Sequence, residues 1–510
     1  MPTDTLKTRP VNSFKRKIRW NDLILTVIFL LITLLYAWFM IRDRVPLLGW
    51  IALAALWLLF FFRAGRISPP TPMDPLILAL LLLLPLSLLI STDRALSQSK
   101  IHGLLLGIAL FFWIVNFLKN YRNLQWVIFG LILLAIGTSF LGLFGADWSK
   151  VSATVFTPVI NRLPRLNQLL PGLTADPSVN PNTIGGALTF FIPLLVGLLL
   201  DGGAYRRKYC RRKPRANLRI ALYNLLILLA LLLSTGTLLL TNSRGAYLGA
   251  TLGLFALALW KRPTLWKVIP IIVAIAVLAM LILTDGDLLE FAKILDTDEE
   301  NSTLAGRLQS WRNTLLMIQD FPLTGAGIGT YNMLYYDLYT LNPFPDEVPQ
   351  AFHAHNTLLA VTIDLGIPGL VLYCALFSGF ARMVRKTYKH GRTIRRVLLK
   401  GIACGLLAHL TFGIMDAFLL GTKLGAIFWI FLGVGAGLFA HQESYKRHHT
   451  HSTEGTVPGP SNQKDWGSAK IYGKFMLISL GFWLLISLAA LAFINLSAIL
   501  SLSLAIIGGI

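Results

Sequence analysis

The segment HAHNTLLAVTIDLGIPG (residues 353–369) starts a predicted membrane helix directly after a long acidic loop. Residues 285–354 form this loop and hold eleven of the chain's 24 acidic residues, although the whole chain has a formal net charge of +22. Only Lys293, Arg307 and Arg312 are basic within the loop. Almost half of the acidic residues of this strongly basic protein are therefore concentrated in one segment. The segment is long enough to fold over a site.

The composition outside this loop is that of a membrane protein. Of the 510 residues, 55% are hydrophobic and 14% are charged. Apolar runs of about twenty residues recur along the chain, and in lipid only helices satisfy the backbone of such runs. We therefore predict an all-α integral membrane protein with about 12 to 14 transmembrane helices and one large extracytoplasmic loop that contains amphipathic helices.

Lys and Arg stand in short clusters between the apolar runs, which is typical of membrane orientation rather than of nucleic-acid binding. The three cysteines lack metal-site spacing and indicate neither a metal site nor a disulfide framework. The predicted spans lie at about residues 22–41, 45–62, 75–91, 101–118, 125–143, a sixth ending near 200, 221–240, 245–260, 268–283, 356–380, 397–416 and 424–440.

The basic clusters predict which loops stay in the cytoplasm. Clusters precede the first span and follow the sixth, eighth, tenth and twelfth spans, so the N-terminus is predicted to be cytoplasmic and loop 285–354 extracytoplasmic. The first apolar run is too long for a signal peptide and no cleavage site follows it, so we interpret it as an uncleaved helix.

This topology divides the chain into four parts. Residues 1–179 hold transmembrane helices 1–5, residues 180–440 hold the large loop and its flanking helices, and residues 441–470 form a cytoplasmic linker. Residues 471–510 form a C-terminal transmembrane part. Its apolar stretch from 476 is compatible with one long span or with a short hairpin.

On the predicted outer side, Arg244 follows the short turn Thr241-Asn242-Ser243 and begins a helix. A helix N-terminus with a guanidinium forms a site for an anion. The alternative is an interfacial arginine that reaches lipid headgroups.

Within the loop, apolar residues at three- and four-residue spacing predict an amphipathic helix at about 302–320. Arg307 lies beside the apolar stripe, and Arg312 lies about 140° further round the helix. One of the two is expected to face a site and the other to face water. The alternative for both is a solvated cation among many acids.

Four further polar residues fall on the same side. A histidine at an aqueous membrane interface, such as His355, can accept or donate a proton near neutral pH, and Asn356 can position a hydroxyl or an amide. Asp416 and Lys423 flank the turn between the last two spans of the 180–440 part. His355 and Asn356 are each also compatible with a structural role at the membrane interface.

These motifs resemble those of the O-antigen ligase and O-antigen polymerase family. The resemblance lies in the Asn-Ser-Arg-Gly turn at 242–245, the Gly306-Arg307 to Trp311-Arg312 helix with the PLTGAG turn at 322–327, and His355-Asn356 followed by GIPG at 366–369. Gly413, Asp416 and Lys423 resemble the end of that family's domain. The resemblance covers residues 180–440.

The resemblance implies a metal-independent glycosyltransferase without a cofactor in the bacterial cytoplasmic membrane. Its donor would be a glycan on undecaprenyl diphosphate, and its acceptor a glycan, a lipid-borne core or a protein side chain at the outer face. Arg244 and Arg307 would bind the diphosphate, and His355 would assist the acceptor hydroxyl. Asn356, Arg312, Asp416 and Lys423 would support them.

Two alternatives to a ligase stay open. A repeat-unit polymerase of the same family would share these motifs. A polytopic transporter of the inorganic-carbon type would instead show paired internal repeats and ionisable groups near mid-membrane. Asp364 and His409 are the candidates for such groups.

Overall fold

A computed structural model describes residues 20–120, 123–151, 156–163, 179–210, 216–267, 304–339, 353–390, 393–418 and 420–453. These residues form α-helices and two short 3-10 helices, and no strand occurs among them. The predicted ninth span (268–283), most acids of the outer loop and the C-terminal part (471–510) lie outside the described residues.

Fourteen α-helices make up the described part of the chain. The first seven are α1 (Trp20–Arg42), α2 (Leu47–Ala64), α3 (Asp74–Ile90), α4 (Arg94–Phe117), α5 (Leu124–Gly145), α6 (Thr157–Ile160) and α7 (Pro181–Cys210). The other seven are α8 (Ala216–Leu240), α9 (Arg244–Lys261), α10 (Leu304–Asp320), α11 (Tyr331–Leu338), α12 (Thr357–His390), α13 (Thr393–Met415) and α14 (Ala426–Thr453).

Nine of the described helices are long and apolar enough to cross a membrane, namely α1, α2, α4, α5, α7, α8, α12, α13 and α14. Helix α3 is apolar but shorter, and α9 has 18 residues with a charged residue at each end. The prediction of an all-α integral membrane protein is confirmed.

Helix α7 packs against α9 and α13 at the centre of the bundle, and small residues line this contact. A side chain added at Gly249 or Gly253 of α9 would meet backbone or side-chain atoms of Ala408 at 2.5 and 2.7 Å. Glycine at these positions lets the helices approach closely, as membrane helix interfaces require. Helices α1 and α2 are far less enclosed than α7 and α14, so they lie at the periphery.

The predicted amphipathic helix at 302–320 corresponds to α10, and the predicted span at 356–380 corresponds to the longer α12. Helix α12 is kinked at Gly366, which has a left-handed φ of 72°. Helix α14 continues to Thr453, into the segment predicted as a linker from 441. The reason is local, because the first glycine and proline after the span are Gly455 and Pro458.

Candidate functional site

The candidate site lies where α12 begins and α13 ends. Asn356 caps α12, because its Oδ1 accepts the backbone N–H groups of Leu358 and Leu359 at 2.9 and 3.1 Å. Its Nδ2 donates to the carbonyl of Ile414 at 3.1 Å. Asn356 therefore ties the start of α12 to the end of α13.

Thr357 makes a second tie between the same two helix ends. Its buried hydroxyl donates to the carbonyl of Asp416 at 3.2 Å and accepts the backbone N–H of Phe418 at 3.0 Å. These bonds fix the turn that follows α13, and with it the direction of the Asp416 side chain.

Two histidines meet the Asp416 carboxylate. Its Oδ1 lies 3.3 Å from Nδ1 of His355 and 3.6 Å from Nε2 of His353, and it accepts the backbone N–H of Ala417 at 2.8 Å. The carboxylate side chain is only 7% exposed, whereas the His355 side chain is 29% exposed. The His355 side chain is therefore more accessible to solvent than the carboxylate that it contacts.

The backbone of His355 adopts a conformation that side chains rarely accept, with a φ of 45°. Its N–H donates to Nδ1 of His353 at 3.2 Å, and its carbonyl accepts the indole N–H of Trp311 at 3.3 Å. Strained backbone held by such bonds is common at functional sites. Because Nδ1 of His353 is an acceptor, the neutral ring of His353 carries its proton on Nε2, towards Asp416.

The pKa values follow from this packing. Burial is the main cause that lowers the pKa of His353 from 6.5 to about 4, and the charges of His355, Arg307 and Lys100 add to it, while Asp416 acts in the opposite direction. Burial alone would raise the pKa of Asp416, but the two histidines and Arg307 hold it below its usual 3.8. Because His353 is uncharged near neutral pH, we assign the stabilisation of the carboxylate there to His355 and Arg307.

Helix α10 brings Arg307 to this group. Arg307 is half-buried and acts electrostatically on both His353 and Asp416. Arg312 on the same helix is exposed. Arg307 is thus the less exposed of the two arginines of α10, and that it faces a site stays a prediction.

Arg244 lies at the same end of the bundle. It is the first residue of α9, which is capped by Ser243, and its side chain is exposed. The next residue, Gly245, packs so closely on α13 that an added Cβ would lie 3.0 Å from Cβ of Met415, the neighbour of Asp416. The start of α9, with its positive helix end, thus adjoins the turn that carries Asp416.

Lys423 belongs to a neighbouring cluster. Its ammonium pairs with Asp43 at 3.0 Å, and its carbonyl accepts the hydroxyl of Tyr36. The described contacts of Lys423 thus connect it to α1 and the α1–α2 turn rather than to the histidine pair. Lys100 of α4 interacts electrostatically with Asp43, Lys423 and Asp364 and lies between the two clusters.

Sequence analysis missed two members of this region. His353 stands two residues before His355, and this His-x-His spacing was the available signal. Lys100 is a lysine inside an apolar helix, which is a functional indicator in membrane proteins. For neither residue did the local sequence indicate which residues it contacts in the folded protein.

His353, His355 and Asp416 could also hold a metal ion, since their ligand atoms all lie within 4.8 Å of one another. Three protein ligands are the number found in catalytic zinc sites. Against this, Oδ1 of Asp416 already faces three nitrogen atoms, and the nearby Arg307 adds positive charge that weakens cation binding.

Fold and site together define a polytopic α-helical membrane protein with a cationic, histidine-containing site at one end of its bundle. Residues 229–374 match the family described as O-antigen ligase, so the chain carries an O-antigen ligase domain and the family resemblance is confirmed. The match contains Arg244, Arg307, His353 and His355. No curated protein matches the chain.

The match over residues 229–374 suggests a ligase or glycosyltransferase type of enzyme.

Proposed function

We propose that this protein transfers a glycan from undecaprenyl diphosphate to an acceptor hydroxyl at the outer face of the bacterial cytoplasmic membrane. The observation that carries this proposal is the Asp416–His355 pair beside Arg307, at the bundle end that also holds Arg244. It supplies a proton acceptor and two cations in one region, which are the groups that diphosphate displacement needs.

The two arginines act on the donor. A guanidinium forms paired hydrogen bonds with phosphate oxygens and keeps its charge at all relevant pH values. Arg307 comes from the loop helix α10 and Arg244 from the start of α9, so the diphosphate binds between two separate elements. As the sugar–oxygen bond breaks, both side chains stabilise the charge that develops on the departing diphosphate.

His355 acts on the acceptor. With Nδ1–H donating to Asp416, its Nε2 lone pair is directed away from the carboxylate and accepts the proton of the acceptor hydroxyl. The acceptor oxygen then bonds to the anomeric carbon, and undecaprenyl diphosphate leaves with the electron pair of the broken bond. A positioned base of this kind contributes roughly 10²- to 10⁴-fold.

The reaction in this proposal is metal-independent. The guanidinium groups take the role that a divalent ion has at other diphosphate sites, and the three potential metal ligands are engaged with one another. A polymerase would use the same chemistry with a repeat unit as the acceptor.

The two residues considered for a transporter have structural contacts instead. Asp364 accepts the backbone N–H of Gly329 at 3.0 Å, and the ring of His409 stacks on Phe190 with 4.1 Å between centroids. These contacts favour structural roles for both, so they do not support the transport alternative.

The test is the pool of undecaprenyl-diphosphate-linked glycans in the native host, for wild type, Arg244→Ala and His355→Ala at matched protein levels. Arg262→Ala is the matched control, because Arg262 is exposed at the other end of α9. Accumulation of full-length chains in both site variants indicates a ligase, and accumulation of single repeat units indicates a polymerase. Pools equal to those of wild type would overturn the proposal.

A further inference from the structure

A second feature lies at the opposite end of α12 from His355. A groove of about 480 Å³ opens between the last four turns of α12 and the middle of α13, with Trp260 of α9 at its edge. Its lining is almost wholly apolar and includes Phe377, Val384, Leu406 and Leu410, and the exposed side chains of Arg385 and Lys389 border it at the C-terminal end of α12, which we call its mouth. We refer to these residues as the basic groove.

The basic groove is remote from the candidate active site. Arg385 is 28 residues beyond the first residue of α12, Thr357, which corresponds to about 42 Å of helix at 1.5 Å per residue. This distance exceeds the hydrocarbon thickness of a bilayer, about 30 Å. The charged end of the basic groove is therefore at the opposite membrane face from His355.

The positive charge at the mouth is not compensated within the described part of the chain. Lys261 and Lys400, which lie nearby, both pair with Asp201 at 2.8 and 3.7 Å. Arg385 and Lys389 form no ion pair with any described residue, and the side chains of both are exposed. The guanidinium of Arg396 lies 5.6 Å from the ring of Tyr388 and adds a further cation.

The dimensions match one leaflet of a membrane. Lining residues extend from Lys389 to Phe377, which is about 18 Å along α12, and half of the hydrocarbon thickness is about 15 Å. Trp260 and Tyr388 form a ring pair, 5.4 Å between centroids, near the charged end, where amphipathic aromatic residues mark the membrane interface.

We infer that the basic groove binds one anionic phospholipid, with an acyl chain along Phe377, Val384 and Leu406 and the phosphate on Arg385 and Lys389. An apolar wall that ends in two uncompensated cations is complementary to a lipid with a negative headgroup. This inference does not depend on the proposed transfer reaction.

The test uses the full-length protein, purified in detergent and titrated with phosphatidylglycerol or phosphatidylcholine, with bound lipid counted by native mass spectrometry. Arg385→Gln with Lys389→Gln removes the mouth charges. Arg382→Gln with Lys386→Gln is the matched control, because both residues are exposed on the same helix and line no part of the groove. Ala403→Trp fills the groove without a change of charge.

We expect wild type and the control to retain one phosphatidylglycerol, in preference to phosphatidylcholine. The mouth variant should bind it on the order of tenfold more weakly, since each basic residue near the surface contributes to anionic lipid binding. Ala403→Trp should also lose it. Equal binding of the two lipids, or equal loss in the mouth variant and its control, would overturn the inference. Absence of bound lipid from wild type would also overturn it and indicate that another part of the chain fills the groove.

Discussion

At the scale of single residues, the Asp416 carboxylate is the junction of the site. It is nearly enclosed, and its Oδ1 faces the two imidazoles and the backbone N–H of Ala417. An anion in this position fixes the tautomer of His355, as the proposed mechanism requires.

Replacement of Asp416 by Asn should keep the size of the side chain but remove its charge. We expect transfer to slow by about 10²-fold or more, with little change in donor binding. The reason is that His355, the proposed proton acceptor, loses the carboxylate that fixes its tautomer and supplies a counter-charge. The measurement is turnover and donor affinity of the purified variant. Asp320→Asn, at the exposed end of α10, is the control. Equal turnover in both variants would contradict the role given to Asp416.

The lowered pKa of His353 predicts that the stability of the protein depends on pH. Its pKa is about 4 in the folded protein and 6.5 when exposed, so between these values the unfolded chain binds a proton that the folded chain does not. The contribution of His353 to stability is therefore complete above about pH 6.5 and declines as the pH falls towards 4, by about 3 kcal/mol in all.

The melting temperature of wild type should thus fall between pH 7 and pH 5, and His353→Asn should show a smaller fall. Thermal unfolding of both proteins in the same detergent measures the difference. Parallel curves for the two proteins would show that His353 is not the group responsible.

At the scale of elements, the segment between α10 and α11 is docked into the kink of α12. Ala326 donates to the carbonyl of Ile363, and Ile367 donates to the carbonyl of Pro322, both at 2.7 Å. The turn thereby couples α10, which carries Arg307, to α12, whose start follows His355. Gly366 makes this possible, since its φ is 72° and an added Cβ would lie 2.4 Å from the carbonyl oxygen of Leu323.

Gly366→Ala should therefore displace this turn and with it Arg307. A disfavoured backbone conformation costs about 1 to 3 kcal/mol, and the clash with backbone adds to it, so we expect a lower melting temperature and weaker donor binding. Gly137→Ala is the control, because it lies in α5 with no atom within 4 Å of an added Cβ. A melting temperature and donor affinity in Gly366→Ala equal to those of the control would contradict this coupling.

The elements themselves were predictable from local pattern. Apolar spacing placed a helix at 302–320, and α10 spans Leu304–Asp320. The partners within the site were not predictable, because the contact of Asp416 with His355 depends on the α13 end packing against the α12 start, 61 residues apart in the chain. For the same reason, nothing in the sequence indicated that Lys423 pairs with Asp43.

At the scale of the whole molecule, the proposed function requires that the site faces the outer side of the membrane. The basic clusters predict that α10 and the start of α12 lie outside and that the segment after α9 lies inside. In a cysteine-free background, a membrane-impermeant maleimide should label Leu323→Cys in intact cells, and Trp266→Cys only after lysis; both positions are exposed. The reverse pattern would invert the topology and remove the site from the extracytoplasmic face.

We propose that this site releases undecaprenyl diphosphate from a lipid-linked glycan. The most direct measurement incubates the purified full-length protein with donor and acceptor lipids extracted from the native host and quantifies undecaprenyl diphosphate, with and without a chelator. We expect release by wild type under both conditions, and release at least about 10²-fold slower with Arg307→Ala or His355→Ala. No release by wild type, or release by both variants at the wild-type rate, would contradict the claim, and release abolished by the chelator would contradict metal independence.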